Sequence, residues 1–97
     1  MPRFVFRSEA RTELREARDW YETQSPGLGL EFGRAVDAAL AAIRRHPEAY
    51  PVVEEDIRRA ILRRFPYQLL YYCEGADLVV LACYHHRRDP QGWRSRR

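Results

Sequence analysis

Tyr67-Gln68-Leu69-Leu70-Tyr71-Tyr72-Cys73 and Leu78-Val79-Val80-Leu81-Ala82-Cys83-Tyr84 are two near-continuous apolar and aromatic runs, joined by Glu74-Gly75-Ala76-Asp77. A short link with a glycine between two such runs predicts a β-hairpin. Strands that are apolar on both faces must be covered on both sides. With Gly75-Ala76 as the turn, Cys73 is expected opposite Leu78 and Cys83 opposite Gln68, which sets the thiols apart and on opposite faces. A disulfide needs Cα atoms within about 7 Å, so two free thiols are expected, as suits a reducing compartment.

Upstream of the hairpin, residues 57–65 alternate Ile57, Arg59, Ile61, Arg63, Phe65 against Arg58, Ala60, Leu62, Arg64, and Pro66 ends the run. That period predicts a strand. Each Arg-Arg pair would then place one guanidinium on each sheet face, the inner ones snorkelling at the margin and the outer ones lining an open, Tyr-bearing surface. Further back the period changes. Phe32, Val36, Leu40 and Ile43 recur every three or four residues with Ala35 and Ala39 on the same side, and His46-Pro47 stops the pattern. Ala10, Leu14, Ala17 and Tyr21 recur the same way, with Trp20 beside them, until Thr23 or Gln24. On the remaining faces Glu9, Glu13 and Glu16 interleave with Arg11, Arg15 and Arg18, which reads as a salt-bridged exterior. Ser8 suits the first N-cap, and Ser25-Pro26-Gly27 suits the start of the second helix. Two antiparallel helices with so tight a link form a helical hairpin. Arg3-Phe4-Val5-Phe6-Arg7 reads as a strand before it. The order is β-α-α-β-β-β, an α+β fold with a helical hairpin packed on a small antiparallel sheet, then a short C-terminal helix.

At 97 residues, 45% hydrophobic and 32% charged, the chain is one globular domain, residues 1–97. It is too short for a multidomain enzyme or a full dinucleotide fold. No run approaches the roughly 20 apolar residues of a membrane span, so no membrane partner is expected. Met1–Ser8 has no apolar signal core ahead of its charges, and a cytoplasmic location is expected. All 17 basic residues are arginine. Residues 1–56 hold 8 Arg against 11 Asp/Glu, a balance of −3, and residues 57–97 hold 9 against 3, a balance of +6. A basic half suggests an anionic partner, nucleic acid or an acidic protein segment, as well as a plain solvated face.

The densest chemistry is Tyr84-His85-His86-Arg87-Arg88-Asp89-Pro90-Gln91-Gly92-Trp93-Arg94. Asp89-Pro90 starts a helix and Trp93 falls back on the body as an anchor. A histidine on the sheet near Arg63 or Arg64 could act as general acid or base, with arginines holding a phosphate, which would suit RNA cleavage by the 2′-hydroxyl. No carboxylate base accompanies it, since acidic residues are scarce after Asp56. No P-loop, Ser/His/Asp spacing, Cys-x-x-Cys or His-x-x-x-His is present, so neither a cofactor nor a metal is expected.

Together, Ala10-x-x-Glu13-Leu14-x-x-Ala17-x-x-Trp20-Tyr21, Ser25-Pro26-Gly27-Leu28-Gly29-x-x-Phe32, Pro47-x-x-Tyr50-Pro51, Arg63-Arg64-Phe65-Pro66-Tyr67-x-x-x-Tyr71 and His85-x-Arg87-Arg88-Asp89-Pro90-x-x-Trp93 resemble the RelE/ParE superfamily of bacterial type II toxins over nearly the whole chain. The resemblance, closer to ParE-like members, implies a toxin held inactive by a cognate antitoxin that wraps a helical or extended segment around it. ParE-like members block DNA gyrase; RelE-like members cleave mRNA in the ribosome, and a degenerate toxin without activity is a third reading. Under the nuclease reading His85, Arg63 and Arg87 are the catalytic candidates. Arg59, Arg64, Tyr71, Tyr84, Arg88 and Trp93 are candidates for binding. The lysines that many RelE-like nucleases use are missing, and arginine cannot replace a lysine that exchanges a proton, which favours gyrase. An exposed sheet edge or helical hairpin could pair two copies into a homodimer.

Overall fold

The computed structural model describes residues 2–96; Met1 and Arg97, the ends of the expected domain, lie outside them. The elements are β1 (Arg3–Phe6), α1 (Ser8–Gln24), α2 (Leu28–Arg45), β2 (Val52–Glu54), β3 (Ile57–Ile61), β4 (Tyr67–Glu74), β5 (Asp77–His85) and α3 (Gln91–Arg94). The expected helical hairpin, sheet and short C-terminal helix are all present. The sheet is richer than the purely antiparallel one expected from sequence. It has five strands in the order β1-β5-β4-β3-β2, and β1 runs parallel to β5. The extra strand β2 is three residues long and pairs with β3 across a register irregularity. So short a run carries no periodicity to read.

The helix starts differ from expectation. Ser8 is already helical, and its hydroxyl lies on the Glu9 carboxylate rather than capping a backbone N–H. Ser25 and Pro26 precede α2, whose N-cap is Gly27 at φ +88°, a conformation glycine adopts without steric cost. The cap comes from α1 instead: Glu22 accepts from the Gly27 and Gly29 N–H groups, each at 3.0 Å. One carboxylate thus satisfies two orphan donors and meets the positive end of α2. A Cβ on Gly29 would stand 2.8 Å from the Arg18 carbonyl oxygen, so this glycine sets how closely the two helices approach.

The strand expected over 57–65 stops at Ile61. Arg64 takes φ +69° and Phe65-Pro66 turns the chain back into β4; Pro66 has no N–H to give a ladder, so the strand does not run on through it. Arg63 and Arg64 are therefore loop residues and do not straddle the sheet. In the β4–β5 hairpin Cys73 faces Leu78 as expected, but Cys83 faces Leu69. The register shifts between Leu70, opposite Ala82, and Tyr71, opposite Val80, leaving Leu81 as an extra residue on β5. The bulge returns Cys83 to the face of Leu78, so the thiols share a face and remain free.

Both sheet faces are covered. Phe32, Val36, Ile43, Leu69, Tyr71 and Cys83 fill the face under the hairpin. There Tyr21, Phe32, Phe65 and Tyr67 pack ring on ring at centroid distances of 4.9–6.1 Å. The other face, expected to be open and arginine-lined, is apolar: Ile57, Leu70, Tyr72, Val79, Leu81 and Tyr84 form one buried cluster with Trp93 of α3.

Burial pushes the Cys83 thiol and the Tyr71 phenol each up to about 12. Their unfolded values are about 8.5 and 10, so above those the unfolded chain loses protons that the folded chain keeps, and stability falls as pH rises. Urea midpoints should decline from about pH 8.5, more steeply above pH 10. At pH 8 a maleimide should label Cys73 and spare Cys83. Labelling of Cys83 at the rate of Cys73 in the folded protein would contradict this packing.

Candidate functional site

β1 accompanies β5 only through Val80, whose carbonyl accepts from the Arg7 N–H at 3.0 Å. Past that point, among the described residues, the outer edge of β5 has no strand beside it. Side chains take the strand's place. Glu13 of α1 accepts from the Cys83 N–H at 3.1 Å, and Arg96 Nη1 donates to the Leu81 carbonyl at 3.2 Å. The two side chains pair fork to fork, Arg96 Nη1 on Glu13 Oε1 at 2.9 Å and Arg96 Nη2 on Oε2 at 2.7 Å. Arg88 Nη1 adds a third contact to Oε2 at 3.0 Å, and Arg7 holds the Arg96 carbonyl at 3.0 Å. The Glu13 side chain is 9% exposed, Arg96 11% and Arg88 55%. Hydrogen bonding to Glu13 holds the Arg96 guanidinium above its ordinary value. Glu13, placed on the salt-bridged exterior by its sequence context, is thus a buried anchor.

The tail it anchors is shaped by Tyr84. The Arg88 and Arg96 guanidinium carbons lie over its ring, 4.3 and 5.5 Å from the centroid, and its hydroxyl donates to the Asp89 carbonyl at 3.0 Å. A Cβ on Gly92 would collide with that hydroxyl, so Gly92 lets the tail close over the ring. Asp89 accepts from the Gln91 N–H at 3.0 Å, but the N-cap of α3 is Pro90, one residue later than the Asp89 cap expected from sequence.

Of the residues singled out from sequence, three are buried and offer no ligand a surface. Tyr84 and Trp93 belong to the second-face core, and Tyr71 lies under the hairpin with its hydroxyl on the Pro47 carbonyl at 2.6 Å. Arg59 is half-buried on β3, its Nε enclosed without a partner. Arg87 and Arg88 are exposed in the turn after β5. His85 is half-buried at the end of β5, edge-on to Tyr67 at 5.1 Å. Its Nδ1 accepts from the Arg87 N–H at 3.0 Å, which leaves the proton on Nε2. With Trp20, Tyr67 and Arg88 it lines a cleft of about 230 Å³. Arg63 and Arg64 line a different cleft, about 560 Å³, between α2 and β3, where Arg64 pairs with Glu31 at 2.7 Å. His85 therefore stands with Arg88 and not with the arginine expected beside it. The displacement follows from the early end of β3. Trp20, 55% exposed beside His85, and the Glu13–Arg96 pair are the parts of this region that residue type alone did not single out. Glu13 does fall on the buried stripe Ala10-Glu13-Ala17, a helical spacing that could have marked it. Among the described residues no group of three or more His, Cys, Asp or Glu is placed to hold a metal ion.

The chain matches the family model described as "ParE toxin of type II toxin-antitoxin system, parDE" over residues 4–90. Among solved structures it resembles one titled "Chromosomal ParDE TA system from P. aeruginosa", at a TM-score of 0.76 and 16% identity, over 88% of this chain and 96% of that one. That likeness is one of fold. No curated protein matches.

Removing one partner of a buried ion pair strands the other charge. Glu13→Ala should cost about 3–5 kcal/mol in urea unfolding. Arg88→Ala, at a half-exposed partner, should cost less than about 1 kcal/mol. Equal costs would show that the carboxylate is not anchored as described.

Proposed function

The chain belongs to the ParE toxin family of type II toxin-antitoxin systems, and from that premise we propose that it arrests growth by binding and blocking DNA gyrase and is silenced by a cognate antitoxin. It acts in the cytoplasm, by contact rather than by catalysis. The observation that supports this over RNA cleavage is the separation of His85 from Arg63. A general acid or base and the cation that stabilises the phosphoryl charge must converge on one reacting atom. Here they line separate clefts. Arg88, which does stand by His85, is engaged by Glu13, and that carboxylate is saturated by two guanidiniums and an amide. Glu13 is thus not free to act as base, and Arg88 gives it one nitrogen.

The second reading, RelE-like cleavage of mRNA in the ribosome, rests on the protonated His85 Nε2 in a cleft with Trp20 and Tyr67, where a base could stack.

Purified protein should inhibit gyrase supercoiling in vitro. Induction should arrest growth without new mRNA 5′ ends, and His85→Ala and Arg63→Ala should arrest growth as the parent does. In-frame 5′ ends that vanish with His85→Ala would establish the nuclease reading instead. Absence of growth arrest on strong induction would mark a degenerate toxin.

A further inference from the structure

Arg63 and Arg64 line a cleft between α2 and β3 that the gyrase reading leaves without a role. Its volume of about 560 Å³ is that of a small-molecule site. One wall is Ala35, Ala38, Ala39 and Ala42, a single face of α2 at i, i+3, i+4 and i+7. Opposite stand Ala60 of β3 and Phe65 of the β3–β4 loop. The neighbouring face of α2 seats Phe32, Val36 and Ile43 in the core. The helix is thus held in place, and the alanines leave a gap between it and the strand.

The two ends of the gap differ. From Glu31 to Ala42 the α2 wall runs about 16 Å, at 1.5 Å per residue. Three guanidiniums gather at the Glu31 end. Arg64 meets Glu31 at 2.7 Å, whereas Arg34 and Arg63 have no ion pair among the described residues. Three cations against one carboxylate leave this end positive. Arg64 stands there at φ +69°, a left-handed backbone that is uncommon outside glycine and recurs at ligand clamps. The far end is closed by Tyr50, edge-on to Tyr71. The cation nearest Tyr50, Arg58, is bound to the Glu48 and Tyr50 carbonyls. Between the ends, the alanine and Phe65 side chains carry no polar atom.

We propose that this cleft binds an amphiphilic anion, with a carboxylate or phosphate head on Arg34, Arg63 and Arg64 and an unbranched hydrocarbon tail laid along the alanines toward Tyr50. Guanidiniums grip either head through paired, charge-assisted hydrogen bonds. The tail selects against other anions. A sugar, nucleotide or peptide carries donors and acceptors along its length, and these would lose water against alanine side chains without gaining a partner. A bare phosphate would use the mouth and leave the slot empty. The proposal does not depend on the gyrase reading.

The test is calorimetric titration of the full-length chain with dodecanoate and with dodecyl phosphate, each below its micellar concentration. One site with a dissociation constant of about 10 µM or tighter is expected, and the tighter of the two identifies the head. Dodecyl maltoside, with the same tail and no charge, should bind at least about tenfold more weakly. Arg34→Gln/Arg63→Gln should weaken dodecanoate and dodecyl phosphate by about tenfold or more, and Arg15→Gln, away from the cleft, should not. Ala39→Leu should remove binding without lowering the melting temperature, a combination that misfolding does not produce. Equal affinity for all three amphiphiles, or indifference to the arginine change, would overturn the proposal as plain apolar adsorption. No binding up to about 1 mM would overturn it too, whether or not the chain inhibits gyrase. A parent chain that sediments as a dimer, and as a monomer with Ala39→Leu, would give the cleft to a second copy instead.

Discussion

A strand that outruns its neighbour leaves polar backbone at an edge, and β5 does this past Val80. The rest of the molecule is arranged around the way that edge is closed. Glu13 takes the Cys83 N–H and Arg96 the Leu81 carbonyl, and the two are locked to each other by paired hydrogen bonds. A carboxylate from the first helix and a guanidinium from the end of the chain thus stand in for a missing piece of strand. The Leu81 bulge turns Cys83 toward the helical face. A buried ion pair is a weak source of net stability compared with an apolar replacement. Its role here is positional: it fixes where α1 crosses the sheet and where the tail returns.

The proposed function is supported by what that closure occupies. Glu13 is shared by Arg88 and Arg96, and Trp93 and Tyr84 are used to cover the second sheet face. His85 and Arg63, which the nuclease reading brings together, line separate clefts. On the opposite side of α1, along the hairpin, Arg11 and Arg15 have no ion pair among the described residues. One helix holds the fold together with its acidic stripe and presents its basic stripe to the outside. That division suits a protein that works through contacts with other macromolecules.

Much of this was legible in the sequence. The helical periods of α1 and α2 and the apolar runs of β4 and β5 decide the architecture, since they are long enough for periodicity to be unambiguous. Trp93 as anchor followed from its neighbours, and the Asp89-Pro90 helix start was placed to within one residue. The illegible parts share a cause: each depends on partners distant in sequence. Glu22 rather than Ser25 caps α2 because the hairpin folds it back there. Cys83 changed face because of one extra residue in β5, which no local pattern marks in an all-apolar run. Arg63 and Arg64 left the sheet when Pro66 overrode the alternation before it. The burial of Glu13 needs Arg96, 83 residues away.

The central claim is that the Glu13–Arg96 pair closes the exposed edge of β5, and the Cys83 amide reports on it directly. Native-state hydrogen exchange should find this amide as protected as those in the β4–β5 ladder. In Arg96→Ala it should lose that protection together with residues 86–96, while the ladder and α2 keep theirs. Fast exchange of the Cys83 amide in the parent chain, or protection there unchanged by Arg96→Ala, would contradict it.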